Sequence, residues 1–133
     1  MIHPGQTFEL EYQFSQKQVD LFAEVTGDNN PIHSNAEYAA LTPFKRPILH
    51  GFLSASVFSR IFGTLFPGDG TVYMSQSMKF LKPMYVDQPY KAMVRVAEAF
   101  PEKHRAKFST EVFDAGGEMT ISGEALIYHK TLL

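Results

Sequence analysis

The stretch His50–Phe66, HGFLSASVFSRIFGTLF, decides how this chain is read. Phe52, Leu53, Ala55, Val57, Phe58, Ile61, Phe62, Leu65 and Phe66 cover most of a helical circumference, and a helix apolar nearly all round is a buried helix. At the usual rise it would run about 25 Å. Pro67-Gly68-Asp69-Gly70 ends it, and whatever follows must be able to wrap it. Four candidate strands follow, over residues 71–80, 88–100, 104–114 and 117–129. The clearest period-two alternation is in Ala106/Phe108/Thr110/Val112 and Met119/Ile121/Gly123/Ala125/Ile127, joined by a turn at Ala115-Gly116. Short connections imply antiparallel neighbours.

Upstream of the helix, Phe8, Leu10, Tyr12 and Phe14 alternate with polar partners and predict a further strand. Ser15 and Gln18 form a capping box for a helix that should end at Gly27, and a second box, Ser34 with Glu37, predicts a short helix stopping near Thr42-Pro43. The expectation is an α+β domain over residues 1–133: a five-stranded antiparallel sheet curved around the 50–66 helix, with the shorter helices at one end. A half-open barrel with peripheral helices fits the pattern less well, because of that helix's apolar girth. So small a sheet leaves aromatic side chains uncovered unless a second copy meets it, so a homodimer is expected.

Composition narrows the partners. The 133 residues carry 12 basic and 14 acidic side chains, a net charge of -2, which argues against a nucleic-acid binder relying on a basic field. With no cysteine, neither a thiolate metal site nor a cysteine nucleophile is available. No dinucleotide or P-loop glycine fingerprint points to a bound cofactor. The start of the chain lacks a basic segment leading into an apolar one, and no run reaches the roughly 18 apolar residues of a spanning helix, so a cytoplasmic protein without a membrane partner is expected.

Thr26-Gly27-Asp28-Asn29-Asn30-Pro31-Ile32-His33 places a carboxylate and an imidazole five positions apart across a proline-stiffened loop. On a helix those positions would diverge by roughly 140°, whereas a turn over Asn-Asn-Pro can bring both side chains to one water molecule, as a general acid/base pair. The plainer alternative is that Asp28 caps the next turn and His33 is a surface residue. At the start of the long helix, the Gly51 N–H is placed to stabilise an oxyanion, or else the glycine merely eases the chain into a crowded helix. His50 reads as a structural or capping histidine. Ser59 either donates into a pocket or bonds back to the Ala55 carbonyl. Asp28, His33 and His50 could supply three metal ligands, but their spacing is not metal-like, and no metal is expected. His3, His104 and His129 are expected to face solvent. The pairs Lys45-Arg46 and Lys79/Lys82 could meet phosphate or an acidic carrier, or be solvated surface.

Three blocks resemble one family. Residues 22–33 (FAEVTGDNNPIH) with Ala39, then Pro47-Ile48-Leu49-His50-Gly51-Phe52-Leu53, then residues 79–87 (KFLKPMYVD) are similar to the signature of the (R)-specific enoyl-CoA hydratases, the MaoC-like or hydratase 2 group of the hotdog superfamily. The resemblance implies a hotdog fold, Asp28 and His33 as the catalytic pair, the Gly51 N–H as oxyanion donor and Ser59 as a pocket serine. It further implies hydration of a trans-2-enoyl-CoA to the (R)-3-hydroxyacyl-CoA, with an acyl-CoA thioester as substrate and no cofactor. A dehydratase acting on 3-hydroxyacyl-acyl carrier protein, a thioesterase and a non-catalytic acyl-CoA-binding hotdog protein are the alternatives it leaves open.

Overall fold

The computed structural model describes residues 1–133. Alternating apolar side chains build five strands, β1 (Thr7–Tyr12), β2 (Val72–Phe80), β3 (Tyr90–Phe100), β4 (Arg105–Phe113) and β5 (Met119–Tyr128), in one antiparallel sheet of order β1-β3-β4-β5-β2. One face presents Val94, Val96, Phe108, Val112, Ile121 and Ile127, all fully buried. Register breaks between Tyr73 and Ser75, between Val96 and Glu98 and between Val112 and Phe113 add the local twist that lets the sheet curl.

The sheet curls around α3 (Gly51–Arg60), whose Leu53, Val57 and Phe58 are buried together with Ile61 and Phe62 of the wider π turn, Ile61–Leu65, that continues it. The ring of Phe62 packs edge-on against Phe108 with centroids 4.9 Å apart. The Tyr12 hydroxyl donates to the Ser54 carbonyl at 2.9 Å and ties β1 to the helix; burial raises its pKa, so it stays a donor. The helix is not covered all round as its apolar girth suggests. Phe52 is 70% exposed, and Ser59, Arg60 and Leu65 are exposed as well, because one sheet can shield only one side of it.

The first shorter helix, α1 (Gln16–Thr26), forms as its sequence dictates. Ser15 and Gln18 make the reciprocal capping box, and Gly27 closes the other end at φ 78° with its N–H bonded to Ala23 O. The second cap lies one residue later than expected. Pro31–His33 forms a 3-10 turn whose last N–H, on Ser34, returns to Pro31 O, so Asn35 rather than Ser34 caps α2 (Ala36–Ala40) by accepting from Tyr38 N. His129 departs from its expected solvent position. It is 5% exposed, its Nε2–H donates to Asp69 O at 2.8 Å, and its Nδ1 accepts from Leu132 N at 3.1 Å as the C-terminal turn folds over it.

Candidate active site

The loop after α1 is held from several directions. Thr26 Oγ1 donates to Phe22 O and accepts from Asp28 N; Asp28 Oδ1 accepts from Asn30 N at 3.3 Å; and Asn30 Oδ1 accepts from Ile32 N. Proline at the first position of the 3-10 turn fixes its φ and swings His33 back toward the loop's start. Asp28 therefore caps a turn, as the plainer reading has it, and also meets His33: one donor atom each of Asp28, His33 and His50 lies within 4.8 Å of the others.

An extended segment ahead of α3 closes the site from below. Ile48 N donates to Ile32 O, Leu49 N donates to Met84 O at 2.8 Å, and Ile48 pairs with Tyr85. The Ile48 carbonyl accepts from His33 Nδ1 at 2.8 Å. A carbonyl can only accept, so neutral His33 carries its proton on Nδ1 and keeps a lone pair at Nε2. Partial burial lowers its pKa; the facing His50 ring pushes the same way, while the Ile48 hydrogen bond and the Asp28 carboxylate oppose it. The net direction favours the neutral, proton-accepting form.

Against this cluster opens a cavity of about 690 Å³, lined by Asp28, His33, His50 and Gly51 on its polar side and by Phe22, Phe44, Phe52, Phe80, Leu81 and Met84 among its apolar residues. Gly51 stands at the first position of α3, where N–H groups have no intrahelical partner and where His50 supplies no side-chain cap. A side chain there would press on a neighbouring ring. A Cβ would lie 2.9 Å from Cζ of Phe80, whose ring rests on this residue.

Ser59, expected as a pocket serine, is exposed and does not line the cavity. Nine residues of helix turn it roughly 180° from His50, whereas Ser54, one turn after His50, is buried, lines the cavity and donates its Oγ to the His50 carbonyl. That phase was available in the sequence from helical geometry alone. Phe80 left no local signal, because it reaches Gly51 from another element. Of the basic pairs, Lys82 lines the cavity rim but is bound to Asp114, at 3.2 Å, and Glu118, and Arg46 lies 3.9 Å over the ring of Tyr85. The two histidines do not make a metal pair: a metal sits in the plane of the imidazole it binds, and these rings are stacked at 3.9 Å with only 28° between their planes. One nitrogen of each is also committed to a carbonyl.

A curled antiparallel sheet around a helix, with an Asp–His cluster at that helix's N-terminus, defines a hotdog-fold protein with a candidate acid/base site. The chain belongs to the MaoC-like domain family, whose match spans residues 2–115. It is 38% identical to an (R)-specific enoyl-CoA hydratase of Aeromonas caviae over 92% of each chain. A 3-hydroxybutyryl-CoA dehydratase of Methylorubrum extorquens is 41% identical over 92% of this chain and 78% of its own length. Among solved structures, the (R)-hydratase of A. caviae superposes with a TM-score of 0.93 at 36% identity, covering 97% of this chain and 98% of that one.

Proposed function

We infer that this chain is an (R)-specific enoyl-CoA hydratase, a hydro-lyase that adds water across the C2–C3 double bond of a trans-2-enoyl-CoA and reverses the reaction by dehydration. The observation that carries the reading is the convergence of Asp28 and His33 beside the Gly51 N–H, in a chain closely similar along its length to an (R)-specific enoyl-CoA hydratase.

The chemistry follows from the donors and acceptors. A water between Asp28 and His33 donates to the carboxylate and to Nε2 of His33, the free lone pair left by the bond to Ile48. Its oxygen attacks C3 as a proton passes to the pair. The electron pair of the double bond moves toward the thioester oxygen, where the Gly51 N–H and the N-terminal end of α3 stabilise the charge. The pair then returns one proton to C2, so both residues end as they began. Asp28 and His33 lie together beside one cavity, so hydroxyl and proton arrive on the same face of the alkene. No cofactor is needed, because the thioester supplies the activation.

The enzyme acts as a cytoplasmic homodimer. Support for a second copy comes from edge strand β2, with Val72, Tyr73 and Met74 exposed, and from the uncovered Phe52 on α3; no helix is long and apolar enough to cross a membrane. A 36% identical 3-hydroxyacyl-[acyl-carrier-protein] dehydratase of Arabidopsis thaliana makes the same chemistry on an acyl carrier protein the second reading. The test is turnover of crotonyl-CoA against crotonyl-acyl carrier protein, followed by loss of the conjugated thioester absorbance, with chiral analysis of the product. Preferred formation of (R)-3-hydroxybutyryl-CoA supports the proposal; turnover only on the protein carrier supports the second reading, and thioester hydrolysis or no turnover on either contradicts both.

A further inference from the structure

The acid/base pair is held by a third side chain that the proposed reaction does not consume. His50 is 2% exposed. Its ring stacks on His33 with centroids 3.9 Å apart, and Phe22 packs against it at 4.8 Å. Its Nε2 bonds to the main-chain carbonyl of Asp28 at 3.1 Å. That acceptor requires the ring proton on Nε2, which leaves Nδ1 a buried acceptor without a partner. As mere filling, this is a poor choice. A Leu or Phe would occupy the space without burying an unpaired nitrogen, which costs stability. What histidine supplies here, and those residues do not, is a flat face for His33 together with a donor that reaches Asp28. His50 also directly precedes Gly51, so one residue joins both members of the pair to the start of α3.

We propose that His50 is a positioning residue for hydration, fixing Asp28 through its Nε2–H and His33 through its ring, and holding both against the Gly51 N–H. This rests on the hydratase reading above. His50 exchanges no proton with substrate; its effect passes through the pair. Displacing a reacting group by about 1 Å can cost a hundredfold in rate, so losing both contacts should be felt in kcat rather than in substrate affinity.

Three proteins test it on crotonyl-CoA: wild type, His50→Leu and His50→Gln, the last keeping an N–H at the reach of Nε2. The expected result is a kcat lower by about 10- to 100-fold in His50→Leu, with KM little changed and the fold intact by circular dichroism, and recovery of most of that loss in His50→Gln. A folded His50→Leu with kcat within about twofold of wild type overturns the proposal, as does a His50→Gln no better than His50→Leu, since precise placement is worth far more than twofold. A readout independent of turnover uses ring NMR of His33. The titratable groups acting on it are His50 across the stack and Asp28 from the loop. Replacing His50 by Gln, with Asp28 still held, should move the His33 midpoint upward, and an unmoved midpoint counts against the stack. If wild type leaves crotonyl-CoA untouched, the function reading fails, and the His33 midpoint alone decides whether His50 controls the pair.

Discussion

Gly51→Ala places a methyl where α3 begins. The new Cβ would stand 2.9, 3.0 and 3.2 Å from three atoms of the Phe80 ring, against the roughly 3.5–4.0 Å of relaxed carbon contacts. The ring must withdraw by about 0.5–1 Å to restore that spacing. Phe80 is 49% exposed on an edge strand and can yield, while alanine favours a helix over glycine by up to about 1 kcal/mol. The two effects nearly cancel, so the melting temperature should move by no more than about 4 °C. Activity responds differently. The methyl occupies the approach to the helix N-terminus and the displaced ring no longer walls the cavity, so kcat/KM on crotonyl-CoA should fall by about a hundredfold, the scale of losing one oxyanion donor or of a small misplacement. A double-mutant cycle separates the causes. If Phe80→Ala alone loses as much and Gly51→Ala adds nothing to it, the loss belongs to the ring; if Gly51→Ala costs as much in the Phe80→Ala background as in wild type, it belongs to the methyl itself. Gly51→Ala with unaltered kcat/KM would rule out an oxyanion site at this N–H, because a substrate that closely approaches it must meet the methyl.

Asp28→Asn keeps an oxygen to accept the Asn30 N–H and so keeps the loop, yet removes the carboxylate; kcat should fall by about 10²- to 10⁴-fold, measured beside unchanged acyl-CoA binding by calorimetry. The pH profile of kcat/KM should have its acid limb below the ordinary imidazole value of 6.5, because the neutral form of His33 persists to lower pH when its pKa is lowered. For the same reason His33 contributes stability that is fully present above its unfolded-state pKa and is lost as pH falls toward the lowered folded value, readable in the pH dependence of urea midpoints. His129→Ala removes the two hydrogen bonds that the buried ring makes to the Asp69 carbonyl and the Leu132 N–H, so at about 0.5–1.5 kcal/mol each stability should fall by about 1–3 kcal/mol in urea denaturation, with kcat of the folded protein unchanged, since His129 does not line the active-site cavity.

What could be read from the sequence was what is decided locally. Both ends of α1 follow from Ser15, Gln18 and Gly27, whose contacts lie within four residues, and the turn that brings His33 back to Asp28 follows from Asn30 and Pro31. The wrapped helix was legible because its apolar residues exceed what one amphipathic stripe requires. The strand order was not legible. Placing β2 beside β5 is a choice among long-range pairings that alternation does not encode. Side-chain roles set by tertiary contact escaped in the same way: His50 looks like a cap until its ring is seen against His33, Phe80 reaches Gly51 from a different element, and His129 is enclosed by the C-terminal turn. The shift of the second cap from Ser34 to Asn35 shows how one 3-10 turn moves a local signal by a residue.

In the proposed reaction Asp28 and His33 serve one face of the substrate beside the Gly51 N–H. Hydration of crotonyl-CoA in D₂O, with the relative configuration at C2 and C3 read by NMR, tests it most directly. The expected product is (R)-3-hydroxybutyryl-CoA in which the C2 deuteron and the C3 hydroxyl were added to the same face. Anti addition, a mixture at C2 or the (S) product would contradict it.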